Sequence, residues 1–264
     1  MGDDVGMSNI TVEIADHIAV VTLDRPPVNA VDRVTFGEIE AAFTSFNDNR
    51  DVRVAVFTAV GDRAFMAGVD LRSVNEPLVD PPASQQLDPP RAARDAMWSI
   101  TDCAVPVIGA INGPALGAGI AFAACCDILL ASDNATFGTT EINVGLLGAS
   151  SHLSLLVGRH KAREMFFTGE VIPASELYRL GAVRAVVPRD QLMPTALELA
   201  RTLAAKSPIA LRLAKESMNR VEYLPLKEGY RTEQDYTGRL RRFEDAKEAQ
   251  QAFLEKRDPD WKWR

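Results

Sequence analysis

The chain has 264 residues, of which 47% are hydrophobic, so it can fill the core of one large domain or of a domain with a smaller appendage. Its net charge of −7 argues against a nucleic-acid or membrane-surface protein, because those partners require a basic face. The first residues lack the basic and apolar regions of a signal peptide, and no apolar run is long enough to cross a membrane. We therefore expect a soluble, cytoplasmic protein with a small-molecule partner.

The first half of the chain alternates between strand and helix patterns. Residues 11–14 and 18–23 are rich in β-branched side chains and are separated by a short polar turn, which predicts a β-hairpin. Residues 33–46 repeat phenylalanine and isoleucine at helical spacing. The apolar runs at 52–58 and 105–111 are short and almost continuous, as expected of strands covered on both faces. This alternation predicts an α/β domain.

Two later segments differ from this pattern. Residues 75–90 are polar and rich in proline, which predicts a mobile loop, either an exposed insertion without function or a flap over a pocket. After residue 205 the chain becomes helical, because Ser207 is a good N-cap, Pro208 suits the first helical position, and residues 245–256 carry apolar side chains at helical spacing.

The sequence holds 3 cysteines, two of them adjacent at Cys125 and Cys126 within an apolar segment. This placement favours buried thiols in a reducing compartment over disulfides. No spacing of histidine, cysteine and aspartate suggests a metal site, so we expect none.

Two glycine-bearing turns follow the buried strands. The first is AFMAGVDL at residues 64–71, and the second is INGPALGAGIA at residues 111–121, where the strand leads into an apolar helix. Glycine lets the backbone approach a ligand closely, although a single glycine-bearing turn is also common between a strand and a helix that bind nothing.

Five segments together resemble the crotonase (enoyl-CoA hydratase/isomerase) superfamily in order and spacing. They are RPPVNA (25–30), AFMAGVDL (64–71), INGPALGAG (111–119), FGTTEI (137–142) and AFLEKR (252–257). The resemblance covers roughly residues 10–257. It implies an α/β fold made of a crotonase-type spiral of ββα units over residues 8–204, which binds acyl-CoA and carries out catalysis. Residues 205–264 would form a helical C-terminal oligomerisation segment, giving homo-trimers or hexamers.

The same resemblance assigns roles to individual positions. It implies that the N–H groups of Val69 and Ala118 form an oxyanion hole for a thioester carbonyl, and that Glu141 is the acid/base. Asp70 is expected to order the first turn through backbone hydrogen bonds. The implied substrate- and CoA-binding positions are Val28, Ala30, Arg63, Ala67, Gly68, Asp70, Leu71, Gly117, Phe253 and Lys256. Of these, Arg63 could equally be a solvated surface arginine. Phe253 and Lys256 would contact the CoA of a neighbouring subunit. The alternative is that Phe253 and Lys256 serve only in packing or are solvated. Coenzyme A enters as part of the substrate, so no separate cofactor is expected.

The expected proton chemistry departs from that of hydratases in this family. Their first catalytic glutamate is replaced by Ala121, and the aspartate that some members carry eight residues after the second glutamate is replaced by Ala149. One remaining carboxylate favours isomerisation, whereas the family name favours hydration. His152 could serve as a second acid or base or could be structural. A non-catalytic scaffold that binds acyl-CoA or RNA stays open as a rival, and the acyl group and the pathway are not predicted.

Overall fold

The computed structural model of the chain describes residues 8–74 and 83–264. The strands are β1 (Ile10–Ala15), β2 (Ile18–Leu23), β3 (Val54–Ala59), β4 (Val107–Ile111), β5 (Ala115–Leu116), β6 (Ile128–Ser132), β7 (Thr136–Gly138), β8 (Val171–Pro173) and β9 (Ala185–Val187). The helices are α1 (Arg33–Ser45), α2 (Leu71–Val74), α3 (Ala83–Leu87), α4 (Arg91–Thr101), α5 (Ala118–Ala124), α6 (Ser150–Val157), α7 (Arg159–Thr168), α8 (Ala174–Arg179), α9 (Arg189–Ala204), α10 (Pro208–Val221), α11 (Leu226–Leu240) and α12 (Glu244–Glu255). A short 3-10 helix spans Glu141–Val144.

The strands form two sheets. The larger has six strands in the order β1-β2-β3-β4-β6-β9, and the smaller has the order β5-β7-β8. Strands β1 and β2 pair antiparallel as the predicted hairpin, and the rest of the large sheet is parallel. The predictions of a hairpin and of an α/β domain are therefore confirmed.

The large sheet is covered by helices on both faces. Every residue of β3 and β4 is buried, which explains why these strands are apolar without alternation. On one face lie Phe36, Ile39 and Phe43 of α1, and the ring of Phe43 meets that of Phe57 at 5.5 Å in an edge arrangement. On the other face α9 packs Leu192, Ala196 and Ala200 against the sheet. The predicted α1 pattern is thus confirmed by its burial.

The C-terminal residues are helical, as predicted. The Ser207 hydroxyl accepts a hydrogen bond from the Ala210 N–H at 3.2 Å, and Pro208 opens α10. Lys215 of α10 is only 5% exposed, and its ammonium group lies 2.7 Å from the Asp127 carboxylate. A buried charge needs such a partner, so this pair holds α10 against the segment between α5 and β6. The boundary after residue 204 and the role of the segment in oligomerisation stay predictions.

The loop predicted at residues 75–90 is partly wrong. Residues 75–82 lie outside the part of the chain that the structure describes, but Ala83–Leu87 is a helix and α4 begins at Arg91. The sequence ASQQL consists mainly of good helix formers, and its flanking prolines concealed this propensity. Across residues 8–74 and 83–264, no helix has the length and apolar character needed to cross a membrane.

The two glycine-bearing turns pack directly against each other through their backbones. The Leu116 N–H donates to the Met66 carbonyl oxygen at 2.9 Å, and the Phe65 N–H donates to the Pro114 oxygen at 3.0 Å. A β-carbon added to Gly119 would lie 2.2 Å from the Met66 oxygen. Position 119 therefore has to be glycine if the turns are to touch.

Replacing Gly119 with alanine tests this contact. We expect Gly119→Ala to lower the free energy of unfolding by about 1–3 kcal/mol, as other overpacked sites do, because the backbone of one turn must move. Urea denaturation followed by circular dichroism measures the change. The matched control is Gly37→Ala in the exposed face of α1, where nothing lies within 4 Å of the added carbon and helix propensity predicts up to about 1 kcal/mol of stabilisation. Equal stability of Gly119→Ala and the unmodified chain would contradict the proposed contact.

Candidate active site

The first turn presents the backbone N–H of Val69 on its open side. Val31 forms a parallel bridge with Val69, in which the Val31 N–H donates to the Gly68 oxygen at 2.9 Å and the Asp70 N–H donates to the Val31 oxygen at 2.8 Å. Successive backbone groups of an extended segment point to opposite sides, so the Val69 N–H points away from Val31. It donates to no acceptor among the described residues.

The second turn presents the N–H of Ala118 beside it. Gly117 has a φ of 56° and donates its own N–H to the Gly138 oxygen at 2.9 Å. Ala118 begins α5, so its N–H has no acceptor within the helix. A β-carbon built on Gly68 would lie 3.9 Å from the Ala118 nitrogen, and Gly68 itself has a φ of +107°. The two amides predicted from the sequence are therefore neighbours.

Strand pairing brings Glu141 to the same place. Strands β5 and β7 are parallel, with Leu116 opposite Gly138. Gly117 and the residues after Gly138 therefore follow the carboxyl ends of these strands, on the same side of the small sheet. A β-carbon added to Gly117 would lie 3.1 Å from Oε1 of Glu141, and one added to Gly148 would lie 2.8 Å from the same atom. The carboxylate thus lies between Gly117 and Gly148. Gly117 is the residue immediately before Ala118, so the carboxylate is also close to the Ala118 amide.

The environment of this carboxylate affects its proton affinity. Its Oε2 atom is buried and has no hydrogen-bond partner among the described residues. Burial raises the pKa of Glu141 above its ordinary value, and its own backbone N–H offsets only part of this effect. A carboxylate with a raised pKa is a stronger base than a solvated one and can both take and return a proton.

Arg25 organises the first turn, and the sequence reading missed this role. Its guanidinium donates to the Ala30 carbonyl oxygen at 2.6 Å and to the carboxylates of Asp32 and Asp70 at 2.8 and 3.1 Å. Asp70 also accepts a hydrogen bond from the Arg72 N–H, and this bond, with that from Arg25, holds the pKa of Asp70 below its usual range. The only sequence signal was that Arg25 opens the first shared motif.

The predicted CoA positions form the rim of the first turn. The Val28 carbonyl oxygen accepts the Ala67 N–H at 3.2 Å, which joins the loop of the first motif to this turn. Val28, Ala30 and Ala67 are half-buried, whereas Leu71 is 48% exposed. Three further residues predicted to bind CoA, one arginine, one phenylalanine and one lysine, are exposed. Arg63 is exposed and bonds to no described residue, and Phe253 and Lys256 are exposed at the end of α12.

The positions of the two missing carboxylates are filled by small side chains. Ala121 is buried within α5, about one helical turn after Ala118. Ala149 precedes α6 with a φ of 58°. His152, in the first turn of α6, is half-buried, and burial lowers its pKa, which favours the neutral imidazole. Of the groups considered from sequence, Glu141 is the carboxylate placed beside the two amides.

Known proteins resemble the chain over almost its whole length. A family model described as "Enoyl-CoA hydratase/isomerase" matches residues 13–264. The "(7aS)-7a-methyl-1,5-dioxo-2,3,5,6,7,7a-hexahydro-1H-indene-carboxyl-CoA hydrolase" of Mycobacterium tuberculosis is 38% identical over 90% of this chain and 95% of its own length. The carnitinyl-CoA dehydratase of Citrobacter koseri is 36% identical over 94% and 95%.

Solved structures also resemble the chain over almost its whole length. The crystal structure of an enoyl-CoA hydratase from Bacillus anthracis superposes with a TM-score of 0.89 at 32% identity, covering 97% of this chain and 100% of that one. An enoyl-CoA hydratase/isomerase from Mycobacterium paratuberculosis gives a TM-score of 0.90 at 30% identity, covering 98% and 100%. The crotonase-type α/β fold with C-terminal helices that the motifs implied is confirmed. The chain belongs to the enoyl-CoA hydratase/isomerase (crotonase) family.

Proposed function

We propose that the chain is an enzyme that converts an acyl-CoA thioester through an enolate, with Glu141 as the sole carboxylate acid/base. The observation that carries the proposal is the position of its half-buried carboxylate, which has an unpartnered oxygen and lies against Gly117, beside the unpaired N–H groups of Val69 and Ala118. Removing a proton next to a thioester places negative charge on the carbonyl oxygen. Two amides that point at this oxygen stabilise the charge where it develops.

The proposed reaction requires only the Glu141 carboxylate and the two backbone amides. The Glu141 carboxylate takes the α-proton, the C–H electrons form the enolate double bond, and the carbonyl electrons move onto oxygen. The enolate then collapses and takes the proton back from Glu141, at the α-carbon or at the γ-carbon of an allylic system. Each amide of an oxyanion hole is worth about 3–4 kcal/mol of transition-state stabilisation in comparable enzymes.

Isomerisation of a double bond is the reaction that this set of residues favours. Moving a proton between two carbons needs one base, and Ala121 and Ala149 supply none. Hydration is the second candidate, because the family model carries that name and one relative is a dehydratase. Of the relatives named above, one is a hydrolase and one is a dehydratase, both of CoA derivatives, so they support a thioester substrate more strongly than any one reaction.

The CoA-binding residues and the oligomeric state are assigned from the family resemblance. We assign Val28, Ala30 and Leu71, which line the rim of the first turn, and the exposed Arg63 to the nucleotide end of CoA. Phe253 and Lys256 are assigned to the CoA of a neighbouring subunit in a homo-trimer or hexamer, which accounts for the 83% exposure of Phe253. A non-catalytic scaffold that binds RNA is opposed by the net charge of −7 and by the retained Glu141.

Hydrogen exchange at the α-carbon tests enolate formation without requiring the natural substrate. We expect the unmodified chain to exchange the α-protons of short acyl-CoA thioesters in D2O, and Glu141→Gln to slow this exchange by about 10²–10⁴-fold, the usual contribution of a general base. Proton NMR follows the loss of the α-signal. A panel of 2-enoyl-, 3-enoyl- and branched acyl-CoAs, with products identified by mass and NMR, then separates isomerisation from hydration.

The matched control is Glu255→Gln, an identical change on the exposed end of α12. It is expected to exchange α-protons at the unmodified rate. Equal exchange rates for Glu141→Gln and Glu255→Gln would refute the assignment of the base. Absence of exchange in the unmodified chain, together with salt-sensitive retention of RNA on a filter, would favour the scaffold.

The raised pKa of Glu141 predicts opposite pH trends for activity and stability. The base must be ionised, so kcat/KM should fall with decreasing pH, with the acidic limb above pH 4.5, the ordinary value for the group. Burial favours the protonated form, so the folded state binds this proton more tightly than the unfolded state. The resulting stabilisation is complete below pH 4.5 and is lost as the pH rises through the folded-state pKa.

A neutral glutamine at position 141 does not titrate, so the variant does not lose stability from this group as the pH rises. Glu141→Gln should therefore gain thermal stability relative to the unmodified chain as the pH increases from 4 to 8, as measured by calorimetry across that range. Glu255→Gln again provides the comparison, and here the pKa of the glutamate is lowered by its hydrogen bonds to Gln251 and Arg257. A stability difference for Glu141→Gln that does not vary with pH would contradict the raised pKa.

Gly148→Ala tests the position of the carboxylate while keeping its chemistry. The added carbon would lie 2.8 Å from Oε1 of Glu141, and the flexible glutamate side chain can move away without unfolding the chain. We expect α-proton exchange to fall by about 10²-fold, because a displacement of about 1 Å has that effect on positioned groups. The comparison is Gly238→Ala in α11, where nothing lies within 4 Å of the added carbon. If both variants retain full exchange with unchanged thermal unfolding, the carboxylate does not act from this position.

A further inference from the structure

The direction of the Val69 N–H is set by the peptide unit that it shares with the Gly68 carbonyl. A trans peptide is planar, so its C=O and N–H groups point in opposite directions. The Gly68 oxygen accepts the Val31 N–H at 2.9 Å, and this bond turns the Val69 N–H to the other side, where it meets no acceptor among the described residues. The hydrogen bond from Val31 therefore decides whether the first turn presents a donor.

Gly68 is a position at which this peptide unit can rotate. Its φ is +107°, a region that residues with a β-carbon rarely adopt. Glycine also occupies several other regions of backbone space without steric cost, so the turn alone does not fix one orientation. A rotated peptide would place the Gly68 carbonyl where the Val69 N–H now lies, and the negative end of its dipole would oppose an oxyanion. The hydrogen bond from Val31 must therefore be held in place by contacts outside the turn.

Arg25 supplies such contacts on both segments of the bridge. Its guanidinium donates to the Ala30 carbonyl oxygen at 2.6 Å and to the Asp32 carboxylate at 2.8 Å. These two residues lie on either side of Val31. On the other segment the same guanidinium donates to the carboxylate of Asp70, the residue directly after the free N–H, at 3.1 Å. One planar group thus joins the two segments, and we call it and its three acceptors the Arg25 clamp.

The Arg25 clamp is itself anchored to the core. Asp32 is the N-cap of α1, and its Oδ1 atom accepts the Thr35 N–H at 2.9 Å. Helix α1 in turn buries Phe36 and Ile39 in the main hydrophobic cluster. The three charged side chains of the clamp are only 21–24% exposed, so water and salt screen their attraction less than that of a surface pair. The clamp therefore ties the first turn to the position of a buried helix.

We propose that Arg25 is a positioning residue for the oxyanion hole, because its guanidinium holds the peptide unit of residues 68 and 69 with the Val69 N–H facing the substrate carbonyl. Arg25 acts through Val69 and transfers no proton itself. This inference rests on the proposed function, which places a thioester carbonyl at the Val69 and Ala118 amides. Lysine is a poor substitute, because a single ammonium group lacks the planar fork that reaches oxygens on both segments.

The carbonyl of a bound thioester reports on its two donors directly. The probe is butanoyl-CoA labelled with 13C at its carbonyl, and NMR measures how far this signal moves on binding, since hydrogen bonds to the oxygen deshield the carbon. We expect Arg25→Met, which keeps an unbranched apolar side chain, to reduce the movement to about half, because one of two donors is lost. In D2O, kcat for α-proton exchange should fall by about 10²-fold, the effect of displacing one such donor. KM should change much less, because the oxyanion forms only after the substrate has bound.

Arg212→Met is the matched control, because Arg212 also donates to backbone oxygens. Its guanidinium contacts the carbonyls of Asn47 and Asn49 at 2.7 and 2.8 Å, in the loop before β3, whereas the first turn follows that strand. We expect Arg212→Met to lower the free energy of unfolding and to leave the carbonyl signal and kcat of the folded protein unchanged. Arg25→Lys keeps the charge without the fork and should recover only part of kcat.

Asp70→Asn covers the case in which Arg25→Met does not fold. The Asp70 carboxylate accepts from Arg25 and from the Arg72 N–H through separate oxygens, and asparagine replaces one of these oxygens with a donor. We therefore expect kcat to fall and the carbonyl signal to move towards that of the free thioester. An unchanged kcat in the folded variant, or a lower kcat with an unchanged carbonyl signal, overturns the proposal.

The same measurements separate this inference from the proposed function. A carbonyl signal that moves on binding and depends on Arg25, without α-proton exchange by the unmodified chain, would overturn the proposed function alone. Exchange that persists unchanged in the Arg25 variants would overturn the positioning role alone. A bound thioester whose carbonyl signal does not move would overturn both.

Discussion

The close approach of two backbone segments is the constraint on which the site depends. The Met66 carbonyl oxygen accepts the Leu116 N–H and occupies the space where Gly119 would carry a side chain. This contact joins the turn after β3 to the turn after β4, which are otherwise separated by more than forty residues of chain. Only then do the N–H groups of Val69 and Ala118 become neighbours. Because both donors belong to the main chain, their position is set by packing of the two turns, and their side chains are free to vary.

Around this contact the fold accepts a carboxylate in an unfavourable place. Glu141 has a buried oxygen without a partner among the described residues, whereas Arg25 at the first turn is paired with Asp32 and Asp70. The pairs rigidify the loop before α1 and the first turn. The unpaired carboxylate costs stability but keeps a pKa suited to proton transfer, and such local costs are typical of functional sites.

The sequence predicted the elements whose pattern is local, and it failed where geometry is set by distant contacts. The burial of β3 and β4, the face of α1 and the Ser207 cap were all visible in the order of side chains. The position of Glu141 came from the family resemblance alone, because one glutamate after a short strand is usually solvated. Arg25 could not have been recognised as the organiser of the first turn, since its partner Asp70 lies 45 residues further along the chain. The helix α3 was missed because flanking prolines outweighed the helix propensity of five residues.

The two alanines that replace expected carboxylates determine the charge around Glu141. The raised pKa of Glu141 arises from burial, and no neighbouring carboxylate adds to it. A second acidic group at Ala121 would raise that pKa further through repulsion. A methyl group at this position and at 149 leaves Glu141 as the ionisable group beside the amides. In the proposed reaction, the proton that leaves the α-carbon and the proton that returns to the substrate therefore pass through the same carboxylate.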